Sequence, residues 1–116
     1  MEVYEAIRTV LAVREFQNKP VSSDVIDRII ESARLTASSQ NGQPWYFIIV
    51  ENRGTLAKLG CLVNFGLSKT KAAFVVVVAI DKSSEFGISD ASRAIQSMVL
   101  AAWSEGIGSN WTGWVG

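Results

Sequence analysis

Thr36-Ala37-Ser38-Ser39-Gln40-Asn41-Gly42-Gln43-Pro44, running straight into Trp45-Tyr46-Phe47-Ile48-Ile49-Val50, is the stretch on which the fold turns. Its first nine residues have no apolar period, and the Ser, Asn, Gly and Pro among them favour turns. Every one of the next six is aromatic or β-branched, so they read as a β-strand. A polar loop therefore feeds a core strand. The loop holds two adjacent hydroxyls and three side-chain amides at the rigid edge of that strand. Such an edge suits a planar, polar ligand, although a well-capped turn with no ligand needs the same residues.

Outward from this stretch the pattern alternates. Upstream, Val25, Ile26, Ile29, Ile30 and Ala33 share one face of a helix that starts at Ser22 or Ser23 as N-cap and ends near Leu35. Before the loop at Pro20, residues 2–11 place Val3, Ala6, Ile7 and Val10 on the stripe of a short first helix. Downstream, Glu51 to Gly54 reads as a turn and Thr55 to Leu62 as a weak helix. Ala73 to Ile80 (AFVVVVAI) reads as a strand whose unbroken hydrophobicity predicts cover on both faces and a place at mid-sheet. From an N-cap at Ser89 or Asp90, the residues Ala91, Ala94, Ile95, Met98, Val99 and Ala102 carry a last helix to Glu105, where Gly106 stops it. Residues 107–116 (IGSNWTGWVG) can open a third strand. The expected fold is a single α+β domain over 1–116, three layers in α-β-α order, with helices on both faces of a small central sheet.

Composition narrows the chemistry. The 116 residues are 48% hydrophobic, enough for a core and too many for disorder. The apolar helix faces exceed what a monomer of this size covers, which predicts a homodimer. Eleven basic against eleven acidic side chains give zero net charge, which argues against nucleic acid or an anionic membrane as partner. With no histidine anywhere, a Ser/His/Asp or Cys/His relay, a zinc-protease helix and imidazole acid/base catalysis are all excluded. The single cysteine, Cys61, reads as a small buried apolar residue. The start of the chain does not resemble a signal peptide, and the longest apolar run is too short for a bilayer, so a cytoplasmic protein is expected. Gly106, Gly108, Gly113 and Gly116 follow a helix rather than a strand, which rules out a dinucleotide-binding glycine motif. Trp103, Trp111 and Trp114 read as core or interface filling. Glu2, Glu5, Asp24, Asp27, Glu31 and Asp90 read as solvated faces or helix-dipole partners, with no paired-carboxylate site and no metal site.

Val13-Arg14-Glu15-Phe16, then Pro20-Val21, then the Ser38-Ser39-x-Asn41-x-Gln43-Pro44-Trp45 loop, then Leu100-Ala101-Ala102 and Gly106-Ile107-Gly108-Ser109-Asn110-Trp111 occur in that order. Together they resemble the FMN-dependent nitroreductase family over essentially the whole chain, and the loop is the specific part. The resemblance implies an intertwined homodimer of α+β subunits with FMN in each interface crevice. It implies Arg14 at the pyrimidine or phosphate side of the flavin, and Ser38, Ser39 and Asn41 reaching the flavin from the other subunit. It implies Gly113 and Trp114 where backbone N–H groups approach the flavin N5. NAD(P)H would reduce the flavin and leave, and a nitroaromatic, quinone or similar acceptor would take the hydride in a ping-pong cycle with no acid/base side chain.

Val10-Leu11-Ala12 stand where the family pattern has Arg-Arg-Ser, so a phosphate-binding guanidinium and hydroxyl are absent. A charge-assisted hydrogen bond is worth roughly 1.5–3 kcal/mol, which predicts FMN affinity lower by about one to two decades. The sequence stops at Gly116, before the strand and partner-wrapping arm that the resemblance implies. A flavin-free, dimeric ligand-binding or structural module on the same fold is the alternative expectation.

Overall fold

The computed structural model describes residues 1–63 and 71–113. Four helices and two strands follow in the order α1 (Val3–Thr9), α2 (Ser23–Arg34), a single 3-10 turn (Ser39–Asn41), β1 (Trp45–Val50), α3 (Arg53–Leu62), β2 (Val75–Ile80) and α4 (Gly87–Ser104). The expected α+β class holds among these residues. α2 and β1 take the bounds their patterns predict. α3 starts two residues early, because Asn52 caps it: its side-chain oxygen accepts the Thr55 N–H at 3.0 Å.

The core is built where α2 and α4 pack together and α4 crosses the sheet. Ile29 and Ala33 from α2, Trp45 from β1 and Ala94, Met98 and Ala102 from α4 form its buried centre. Phe47, Phe74, Val76 and Val78 close it from the sheet side. Alanines at the helix–helix contact let the two backbones come close. Ala33 and Ala94 are both 0% exposed.

β1 and β2 pair antiparallel, with Trp45 opposite Ile80 and Val50 opposite Val75. Residues directly opposite share a face. Phe47 and Val78 therefore point to the core, while Tyr46 with Ala79 and Ile48 with Val77 point away from it. On that outer face Tyr46 and Ile48 are exposed. The strand expected at mid-sheet has one ladder neighbour among the described residues, and all six of its residues are half-buried rather than covered on both faces. A continuous Val run thus marks two apolar faces, only one of which the described residues fill.

Further details differ from the pattern-based expectations. α1 buries only Ala6; Val3 and Ile7 of its predicted stripe are exposed, because seven residues touch α4 on one narrow side. Cys61 is exposed near the end of α3, whose buried positions are Leu56 and Gly60. Trp111 is exposed, whereas Trp103 is half-buried and donates its indole N–H to Thr9 Oγ1 at 2.9 Å. Among the described residues, the third strand is reduced to one parallel bridge, Ala12 to Ser109. No described helix is long and apolar enough to cross a membrane.

Candidate functional site

The loop before β1 is held in an unusual shape. Gln40, Asn41 and Gln43 all have positive φ, at 54°, 54° and 50°. Non-glycine residues in that region cost about 1–3 kcal/mol each and persist only where their surroundings over-determine them. Here the Asn41 N–H donates to the Ser38 carbonyl and the Gly42 N–H to the Ser39 carbonyl, each at 3.0 Å. The Gln43 N–H donates to Ser38 Oγ at 3.0 Å, and the Gln43 side chain donates to Asn41 Oδ1 at 3.2 Å. At the loop's exit the Asp81 N–H donates to the Pro44 carbonyl at 2.9 Å, which ties the start of β1 to the end of β2.

Asp90 completes this arrangement. The sequence reading treated it as a solvated helix-start acid and a possible N-cap, yet α4 begins at Gly87 with Phe86 as N-cap, and Asp90 lies inside the first turn at 1% exposure. Both its oxygens accept the Ser39 backbone N–H at 3.2 Å, and Oδ1 also accepts the Ser39 hydroxyl at 3.2 Å. Arg93, one turn further on, pairs with the same oxygen from the solvent side. Nothing in the local sequence separates this aspartate from a surface one, since acids are common in first turns.

A second group forms at the other end of α4. There the Val13 N–H donates to the Ser109 carbonyl at 2.9 Å, and the Ala12–Ser109 bridge runs parallel beside it. The contact is close enough to require glycine at 108, where a Cβ would lie 2.5 Å from Val13 Cγ2. It sets the Val13-Arg14 segment alongside the chain leading to Gly113. Arg14 is exposed and has no ion-pair partner among the described residues. Gly113 is exposed too, and the nearest atom to a Cβ built there is 3.8 Å away. Trp114, expected beside it, lies outside the described residues. Leu11 and Ala12 are exposed on the same segment and offer no side-chain donor.

The expected residues therefore fall into two groups that one chain does not bring together. Ser38, Ser39 and Asn41 sit at the N-terminal end of α4, and Arg14 and Gly113 near its C-terminal end. At 1.5 Å per residue, the run of α4 from Asp90 to its C-cap Glu105, which lies between them, is about 20 Å long. A cleft of about 270 Å³ lined by Gln17, Lys19, Glu51, Arg53, Lys71 and Phe74 includes none of them. Among the described residues, no group of three or more acidic or cysteine side chains could hold a metal.

An exposed cation, amides and hydroxyls on ordered backbone, and open backbone at glycine suit a planar, polar ligand. Comparison with known proteins gives the family. The model of the nitroreductase family matches residues 8–85. The "Putative NADH dehydrogenase/NAD(P)H nitroreductase" of Methanothermobacter thermautotrophicus is 37% identical over 97% of this chain and 61% of its own length. An FMN-dependent nitroreductase of Clostridium difficile R20291 superposes with a TM-score of 0.88 at 27% identity, covering 92% of this chain and 64% of that one. A chain from Desulfovibrio desulfuricans solved in complex with FMN superposes with a TM-score of 0.86 at 26% identity, covering 96% and 67%. This chain belongs to the nitroreductase family and has its α+β fold. It spans about three fifths of the length of that archaeal relative.

Proposed function

We propose that the chain works as a homodimeric, cytoplasmic FMN-dependent oxidoreductase that passes hydride from NAD(P)H to a nitroaromatic, quinone or similar acceptor. The observation that carries this reading is the split site. Arg14 and Gly113 at one end of α4, and Ser38, Ser39 and Asn41 at the other, can meet on one ligand only if two chains contribute. The exposed apolar side chains Met1, Val3, Tyr4, Ile7 and Leu11 on and beside α1 supply surface for that association. When bound, FMN supplies the hydride chemistry itself.

The side chains bind and tune. Arg14, exposed and without an ion-pair partner among the described residues, puts positive charge where reduced flavin carries negative charge. Asn41 and Ser38 add hydrogen bonds from the second chain, the exposed backbone at Gly113 faces the N5 side, and no side chain is required to carry a proton. Leu11 and Ala12 contribute no phosphate ligand, and this observation favours the second reading, a flavin-free dimeric module on the same fold.

Titration of the purified chain with FMN, read by quenching of flavin fluorescence, separates the two. Saturable quenching is expected, weakened by about tenfold or more in Arg14→Ala, since a hydrogen bond to a charged group is worth about 1.5–3 kcal/mol. Absence of quenching at high FMN would establish the flavin-free module instead.

A further inference from the structure

Asp90 touches nothing in the proposed flavin site except the loop, and it is the buried charged residue among those described, 1% exposed. It reaches across 51 positions of sequence to take both protons of Ser39, the backbone N–H and the hydroxyl, at 3.2 Å. The loop it grips is the one with three non-glycine residues at positive φ. Such a conformation reverts unless something outside the loop opposes it. Thr36 fastens the loop's start to Ser97 of α4 at 2.8 Å, and Pro44 fastens its end to Asp81 at 2.9 Å. The other bonds of the strained segment run within residues 38–43, so Asp90 is the tie that reaches its middle. Arg93 balances the buried charge without reaching the loop.

The geometry also sets the direction of each hydrogen bond. Ser39 spends its hydroxyl proton on Asp90, so its oxygen can offer only lone pairs elsewhere. Ser38 accepts from the Gln43 N–H and keeps its own proton to donate. Two adjacent serines thus present opposite polarity, one accepting and one donating.

We propose that Asp90 is the positioning residue of the flavin loop: by binding both protons of Ser39 it holds residues 38–43 in their strained shape and fixes which serine donates to the ligand. The ligand part of this inference rests on the flavin reading above, while the grip of Asp90 on the loop does not. Asp90→Asn keeps the shape but replaces one accepting oxygen with a donor and removes the charge.

The test compares wild type, Asp90→Asn, Ser39→Ala and the double variant by FMN fluorescence titration and, with no FMN present, by amide hydrogen exchange. Asp90→Asn is expected to bind FMN about tenfold or more weaker, and the losses in the double variant to fall short of additive, because both changes weaken the Asp90–Ser39 linkage. In the unliganded chain the amides of Ser39 to Gln43 should exchange faster in Asp90→Asn, with protection in α2 and in the middle of α4 unchanged. Wild-type FMN affinity in Asp90→Asn, additive losses in the double variant, or unchanged loop exchange would each overturn the proposal. If Asp90→Asn does not fold, Ser39→Ala must by itself speed exchange in residues 40–43, and unchanged exchange there overturns it. If wild type binds no FMN, the flavin reading fails, and the exchange comparison still decides whether Asp90 holds the loop.

Discussion

At Gly108 a single hydrogen atom stands where a methyl group would collide with Val13, 2.5 Å from its Cγ2 and 2.8 Å from its Cβ. A Cβ cannot swing aside as the end of a long side chain can, so Gly108→Ala must push two backbone segments apart. The expected cost is about 1–3 kcal/mol, read as a lowered melting temperature. Gly113→Ala, with 3.8 Å of clearance, should leave the melt unchanged. Equal melts for the two would contradict the close approach. At this scale the sequence was legible where residues announce themselves chemically. Ser38, Ser39 and Asn41 stand out because hydroxyls and amides cluster in a turn. Asp90 was misread because its role is fixed by a loop 51 positions away, and Cys61 because residue type alone does not say which side of a helix faces out.

Among the elements, α2 and α4 were legible because their apolar residues repeat at helical spacing, and burial follows that repeat at Ile26, Ile29, Ala33, Ala94, Met98 and Ala102. α1 and the third strand were less so: a stripe in a short helix looks the same whether or not a neighbour covers it. The two long helices are also joined by charge, since the Arg28 guanidinium donates to Glu105 at 2.5 and 2.9 Å. That hydrogen bond holds the Glu105 carboxyl below its ordinary value of 4.5. A carboxyl with a depressed folded-state value adds stability above the unfolded value and loses it as pH falls through the folded one. The melting temperatures of wild type and Glu105→Gln should therefore differ slightly at neutral pH, by an amount that salt reduces, and converge in acid. A gap that persists at pH 3 would assign the effect to packing instead.

Across the whole molecule, zero net charge leaves association to shape and apolar surface, and α4 lies between the two proposed half-sites. The proposed symmetric dimer would have two composite sites, each built from the Arg14 end of one chain and the Ser38–Asn41 end of the other. This arrangement predicts complementation. An Arg14→Ala chain mixed with an Asn41→Ala chain, after dissociation and reassociation, gives mixed dimers in which one site carries both changes and the other carries neither. At equal amounts about a quarter of all sites should bind FMN as in wild type, counted by titration. No recovery would mean that each chain builds its site alone. In the sequence the proposed dimer has no sign beyond an excess of apolar surface, because no pattern within one chain records the distance between two loops.

Asn41 is followed by Gly42, the pairing in which an asparagine side chain is most readily attacked by the next backbone nitrogen, closing a ring that opens to aspartate or isoaspartate. In this fold that nitrogen is engaged with the Ser39 carbonyl at 3.0 Å and the loop around it is pinned. The same fastening that orders the loop therefore slows its chemical ageing. Stored at mildly alkaline pH, the folded protein should gain about 1 Da at Asn41 more slowly than a peptide spanning residues 36–46, as followed by mass spectrometry. Equal rates would show that the fastening gives no protection. Each chain that ages acquires a negative charge in the loop proposed to face an anionic cofactor, so the lifetime of the protein as a flavin binder is set by how seldom this loop opens.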